Sequence, residues 1–202
     1  MQLDQSFHRP TWDRARRTVT TWYTTVAVFV LILGSGIVTA QPAGAASNCP
    51  VVAPATGAVT PPPSPGVNWT GCDLSGSDLR GADLTNANLT GVNLTSANLT
   101  GANLTNANLT NATLTGVNLT GTALNGANLT GVVSGNITGT PLVLPPDWTL
   151  TAGYLVGPGA NLYYANLNGA NLNGANLNGA TLTNATLTNA TLTGVNLTGA
   201  NL

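Results

Sequence analysis

The 202-residue sequence predicts an all-β solenoid, in which short extended segments are joined by turns and wound into stacked coils. Leucine recurs every five residues from Leu74 to Leu129, twelve times without a miss, and again from Leu162 to Leu202, nine times. A small residue sits two positions earlier, as at Ala82, Ala87, Val92, Ala97 and Ala102. Asn or Asp usually lies between the two, and Thr followed by Gly, Asn or Ser usually comes after. A period of five suits neither a continuous helix, which would smear the leucines around its axis, nor a continuous strand, which would alternate their face. It suits an extended piece in which the small residue and the leucine point the same way. Gly or Asn at the fifth position then supplies a bend.

Residues 1–45 come first and read as an export signal. Arg14-Ala15-Arg16-Arg17 precedes an apolar run, Val26 to Leu33, and small residues follow in TAQPAGAAS. A basic segment, a short apolar segment and an A-x-A-like site describe a secretory signal peptide, cut after Ala40 or Ala45. The competing reading is an uncleaved anchor, because Thr18–Val38 is about long enough to span a bilayer. Both readings keep the arginines inside and place the rest of the chain outside the cytoplasmic membrane. The protein is therefore expected to be secreted or in the cell envelope, or anchored by a single pass with its repeats outside.

Cys49 and Cys72 fit that compartment, where an even cysteine count suggests a bridge. Closing this loop stabilises by about 3 kcal/mol in the loop-entropy model. A catalytic thiol or a metal site lacks partners, since the one histidine is His8. Residues 46–70 form a Pro-rich lead-in. Pro61-Pro62-Pro63 favours an extended, semi-rigid spacer, and Trp69 is placed to close the end of the repeats.

The repeats fall into one block over residues 71–137 and another over 150–202. Leu129 and Leu162 are not a multiple of five apart, so the frame slips between them. Val132 and Ile137 keep the phase going forward, and Leu155 and Leu150 keep it going backward from Ala160. That confines the slip to about 138–149, TGTPLVLPPDWT, a loop or hairpin whose prolines forbid regular pairing. Leu142, Val143, Leu144, Trp148 and Tyr154 cluster there, with Tyr163 and Tyr164 just after. Trp148, Tyr154, Tyr163 and Tyr164 are the candidate interaction residues of a partner-binding knob. Against that stands a loop folded back over the solenoid, because tryptophans are usually well buried. The sequence stops at Leu202 in mid-repeat, and an open coil end invites end-to-end dimerisation or fraying.

A small residue, then Asn or Asp, then Leu and two variable residues is the motif A(D/N)LXX, and over residues 72–202 the chain resembles the pentapeptide-repeat proteins. The resemblance implies a right-handed, quadrilateral β-helix with four pentapeptides per coil. The leucine and the small residue before it would fill the interior. Residues 20 apart then stack at roughly 4.8 Å. Leu74, Leu94 and Leu114 form one interior ladder, and Leu84, Leu104 and Leu124 another. The family also includes members that imitate duplex DNA and bind DNA gyrase.

Charge narrows the function. Only 5% of residues are charged, against roughly 25% in a typical soluble protein. There is no Glu and no Lys. After residue 46 four Asp stand against one Arg, which supplies no field for steering nucleic acid. Beyond the leader no His, Glu or Lys is available for general acid-base work. Asp73, Asp78 and Asp83 are one repeat apart, so they fall on three different faces. The chain is read as a non-enzyme without cofactor, metal or nucleic-acid partner, an exported structural or protein-interaction module. The first alternative is an Asn/Thr lattice that binds ice or polysaccharide, and the second a gyrase-directed DNA mimic. Asn-Leu-Thr is formally a glycosylation acceptor, but here it follows from the repeat's own grammar.

Overall fold

The computed structural model describes residues 48–202. The leader, its cleavage points and the Thr18–Val38 span lie outside the described residues. Among the described residues no helix is long and apolar enough to cross a membrane.

The chain winds into coils of twenty residues. Asn88 pairs in parallel with Asn68 before it and Asn108 after it, and Asn93, Asn98 and Asn103 repeat this on the other three sides. Each side is a single bridge too short to count as a strand. The Asn108 N–H donates to the Ala87 carbonyl, while the Asn108 carbonyl accepts from Leu89 N–H. A third bond runs from Gly91 N–H to the Thr110 carbonyl. Parallel pairing thus continues from coil to coil along the axis.

The corners follow from the fifth residue. The N–H of each small residue donates to the carbonyl of the leucine three positions back, as Ala87 does to Leu84. The residue just before the small one takes a positive φ, 59° at Asn86 and 64° at Gly91. This is a type II turn, whose third residue must be left-handed and so favours Gly or Asn. Leucines 74 to 129 are at most 1% exposed, each contributing roughly 1.5–3 kcal/mol of burial.

The lead-in is not a spacer. Its strands β1 (Val51–Val52) and β2 (Val59–Thr60) form an antiparallel hairpin. The hairpin sits on the end of the solenoid, with Ala58 bridging in parallel to Asp78. Cys49, Val52, Val59 and Val67 pack against the core. Proline's missing N–H suits such an edge, which pairs with no further coil among the described residues. The first coil begins earlier than residue 71. Gly66 N–H already bonds the Thr85 carbonyl, and Val67-Asn68-Trp69 is a full pentapeptide face with Trp69 in the leucine place, 3% exposed. The Cys49–Cys72 disulfide ties the cap to this coil.

The frame slip, expected over about 138–149, begins only after Val143. Thr138 and Val143 still pair with Asn118 and Ala123 in the twenty-residue register. Val133, however, pairs with Asn161, so that coil carries eight extra residues, placed after Val143. They form a hairpin of β3 (Thr149–Thr151) and β4 (Tyr154–Val156). Its two-residue turn, Ala152-Gly153, has positive φ at both positions, as a tight hairpin with strand twist requires. Leu155 is buried in the first apolar cluster and Val156 in the second, with Trp148 packed against both. The hairpin is therefore a joint in the wall of the solenoid, not a free knob.

Leu109→Ala, at a site with no exposure, will cost about 2–5 kcal/mol in chemical denaturation. Reducing the Cys49–Cys72 bond, which closes a separation of 23 residues, will lower stability by about 3 kcal/mol, read as a shift in denaturation midpoint with and without reductant.

Candidate functional site

Most of the outer surface is a repeated rung of Asn and Thr. In each rung the Asn oxygen is already occupied. Asn88 Oδ1 accepts the backbone N–H of Thr90 at 3.3 Å and its hydroxyl at 2.7 Å. Asn108 holds Thr110 in the same way and also donates to Thr90 Oγ1 at 3.0 Å. These Asn-to-Thr bonds fix the segment before each corner and consume much of the lattice's hydrogen-bonding capacity within the protein.

The acids behave as separate surface groups. Arg80 hydrogen-bonds both oxygens of Asp78, and this pairing holds the Asp78 carboxyl below the usual range. The Thr85 hydroxyl does the same for Asp83. Asp73 accepts from Asn93 Nδ2 at 3.0 Å on the next coil. Among the described residues no three His, Cys, Asp or Glu side chains gather to hold a metal ion.

The hairpin insertion breaks this uniformity and produces a cleft of about 360 Å³. Its lining joins Asp147, Trp148 and Thr149 of the insertion to Asn171, Asn173 and Asn176 of the following coil. Trp148 is half-buried, and its indole lies against Gly157, where a Cβ would run into the ring. Asp147 sits at a positive φ of 66° and accepts from Asn176 Nδ2 at 3.3 Å.

The four expected aromatic residues separate. Trp148 lines the cleft. Tyr154 is an anchor, its ring over Gly135 of the preceding coil and its hydroxyl accepting Asn166 N–H at 3.1 Å. Tyr163 and Tyr164 are exposed and pack edge to face with centroids 4.3 Å apart, away from the cleft lining. Tyr164 occupies a corner with φ of 56°, where Gly or Asn is usual. Asn171, Asn173 and Asn176 were not singled out from the sequence. A signal was present in NLNGANLNGANLNG, where Asn168, Asn173 and Asn178 replace the usual Thr.

Eight copies of the pentapeptide repeat match the chain over residues 66–95, 93–131 and 165–202. The protein belongs to the pentapeptide repeat family. A right-handed β-helix is the fold of this family, and the four-sided coils agree with it. Among solved structures, a pentapeptide repeat protein from Nostoc PCC 7120 is 40% identical over 37% of this chain and 65% of its own, at a TM-score of 0.34. HetL from the same cyanobacterium, a pentapeptide repeat protein involved in heterocyst differentiation regulation, is 28% identical over 67% of this chain and 68% of its own, at 0.31. A third, from the cyanobacterium Cyanothece 51142, is 38% identical over 38% of this chain and 55% of its own, at 0.23. The chain thus spans 65% of the length of the first of these. No curated protein matches it. In this pentapeptide repeat protein the match leaves out residues 132–164, the stretch that contains the hairpin.

The seat of Trp148 can be tested directly. Gly157→Ala will displace the indole, cost about 1–3 kcal/mol as overpacking does, and raise acrylamide quenching of tryptophan fluorescence.

Proposed function

We propose that this pentapeptide repeat protein is an exported, non-catalytic interaction module of the cell envelope or exterior. The observation that carries the reading is the Cys49–Cys72 bond, which pins the end cap to the first coil. Structural disulfides persist in oxidising compartments, and the leader expected over residues 1–45 points the same way. A stiff rod with an almost uncharged surface of amides and hydroxyls suits a scaffold that presents one irregular feature at a fixed height. Partners are proteins or glycans outside the membrane, and anchoring through Thr18–Val38 is the alternative to cleavage.

A lattice binder of ice or polysaccharide is the second reading. The side bearing Asn68, Asn88, Asn108 and Asn128 repeats the Asn-Leu-Thr or Asn-Trp-Thr rung four times in register. The internal hydrogen bonds of those rungs weigh against it. A gyrase-directed DNA mimic needs a dense acidic surface, whereas Asp73, Asp78 and Asp83 occupy successive sides of a coil and Asp78 is neutralised by Arg80.

Cell fractionation with intact mass spectrometry tests the reading. The expected species begins near Gln41 or Ala46, is two hydrogens light, and is found outside the cell. A full-length species in the membrane makes Thr18–Val38 an anchor and keeps the repeats outside. A full-length, reduced species in the cytosol overturns export.

A further inference from the structure

We infer that the cleft between the hairpin insertion and the coil of Asn171 to Asn176 is a binding site for a neutral oligosaccharide. This deepens the reading of the protein as a non-catalytic interaction module and rests on it.

The lining has the chemistry that a sugar requires. Asn171 Oδ1 accepts the Asn173 N–H at 3.1 Å and the Thr191 hydroxyl at 2.9 Å. Asn173 Oδ1 accepts the Thr193 N–H at 2.9 Å. Both amide oxygens are therefore held by protein donors, while both Nδ2 groups have no acceptor among the described residues. They are fixed donors at a cleft wall, ready for ring hydroxyls. Asp147 faces them as an acceptor. One of its oxygens takes Asn176 Nδ2, and its other oxygen has no donor among the described residues. Thr149 adds a hydroxyl.

Trp148 supplies an apolar surface. Its indole is braced by Gly157 and by both apolar clusters, so presenting it costs little side-chain entropy. Large rigid aromatics with a polar edge are effective contact residues for that reason. A pyranose offers the complement, hydroxyls around its rim and C–H groups across its face.

The lining also discriminates. It holds one carboxylate and no cation, so phosphorylated, sulfated or carboxylated ligands meet an uncompensated like charge. It is too rich in amides for a purely apolar ligand, whose burial would strip Asn171 and Asn173 of water without replacement bonds. Its volume lies at the small end of the ~300–1,000 Å³ usual for ligand sites, room for a short stretch of a longer chain that enters and leaves through the open sides.

The test is calorimetric titration of the disulfide-bonded full chain with three neutral pentasaccharides: β-1,4-linked glucose, β-1,4-linked N-acetylglucosamine and α-1,4-linked glucose. A sulfated oligosaccharide is the control. Saturable binding of at least one neutral chain, with Kd on the order of 1 mM or tighter, and none of the sulfated one, is expected. Asp147→Asn keeps a residue that tolerates positive φ, and with Asn171→Ala/Asn173→Ala it should weaken binding tenfold or more while coil melting persists. Trp148→Ala should abolish binding, and since it bridges both clusters the other variants guard against a folding artefact. No saturable binding of any neutral chain up to about 10 mM, or binding unchanged in the Asp147 and Asn variants, or equal binding of the sulfated chain, overturns the proposal and leaves the scaffold reading standing. Mass spectrometry of the recovered sugars separates the two: shortened chains would sink the non-catalytic reading instead.

Discussion

Each side of a coil holds its neighbour through the backbone bonds of a single pentapeptide, so the solenoid depends on every coil returning to the same side in register. Twenty residues return the chain to the same side, and Asn108 then meets both Ala87 and Leu89 in register. A coil one residue longer would put a leucine outside and an asparagine inside, because side chains alternate along an extended segment. The left-handed corner every fifth residue enforces this length. It explains why Gly and Asn dominate that position and why the few others, such as Ser96 and Tyr164, adopt the same positive φ.

Such a fold spends its sequence on repetition and leaves little for chemistry. The interior is leucine over leucine. The exterior is amide and hydroxyl, much of it bonded to itself within the rung or across to the next coil. The backbone departs from the lattice where the twenty-residue rule is broken. At one end the β1–β2 hairpin, Trp69 and the disulfide stop the stack. In the middle eight extra residues leave the helical path and return, and their return creates the cleft at Trp148. Function is therefore best sought at the interruption, not along the lattice.

The repeating part was legible residue by residue. The interior ladders expected at Leu74, Leu94 and Leu114 are fully buried, and the Cys49–Cys72 bridge is present. The misread stretches are those in which the pattern changes composition without changing geometry. Val67-Asn68-Trp69 keeps the repeat although its leucine is a tryptophan. Thr138 and Val143 keep the coil register although Pro141 follows Thr140 at the corner between them. Proline needs no N–H where the chain turns at a corner, so it gave a false sign of where the frame breaks. The four aromatic candidates could not be sorted either, since exposure depends on which coil each meets.

Residue order alone dictates the local rule: an inward small residue, an inward leucine, an outward rung and a left-handed corner. These are set by residue type within five positions. Where the exceptions land is a matter of three-dimensional packing. Whether β3–β4 stands free or joins the wall, and whether Trp148 faces a partner or the core, depends on contacts with Gly157 and the coil of Asn171 to Asn176. Those partners lie in separate segments of the chain, and no local propensity carries information about that distance.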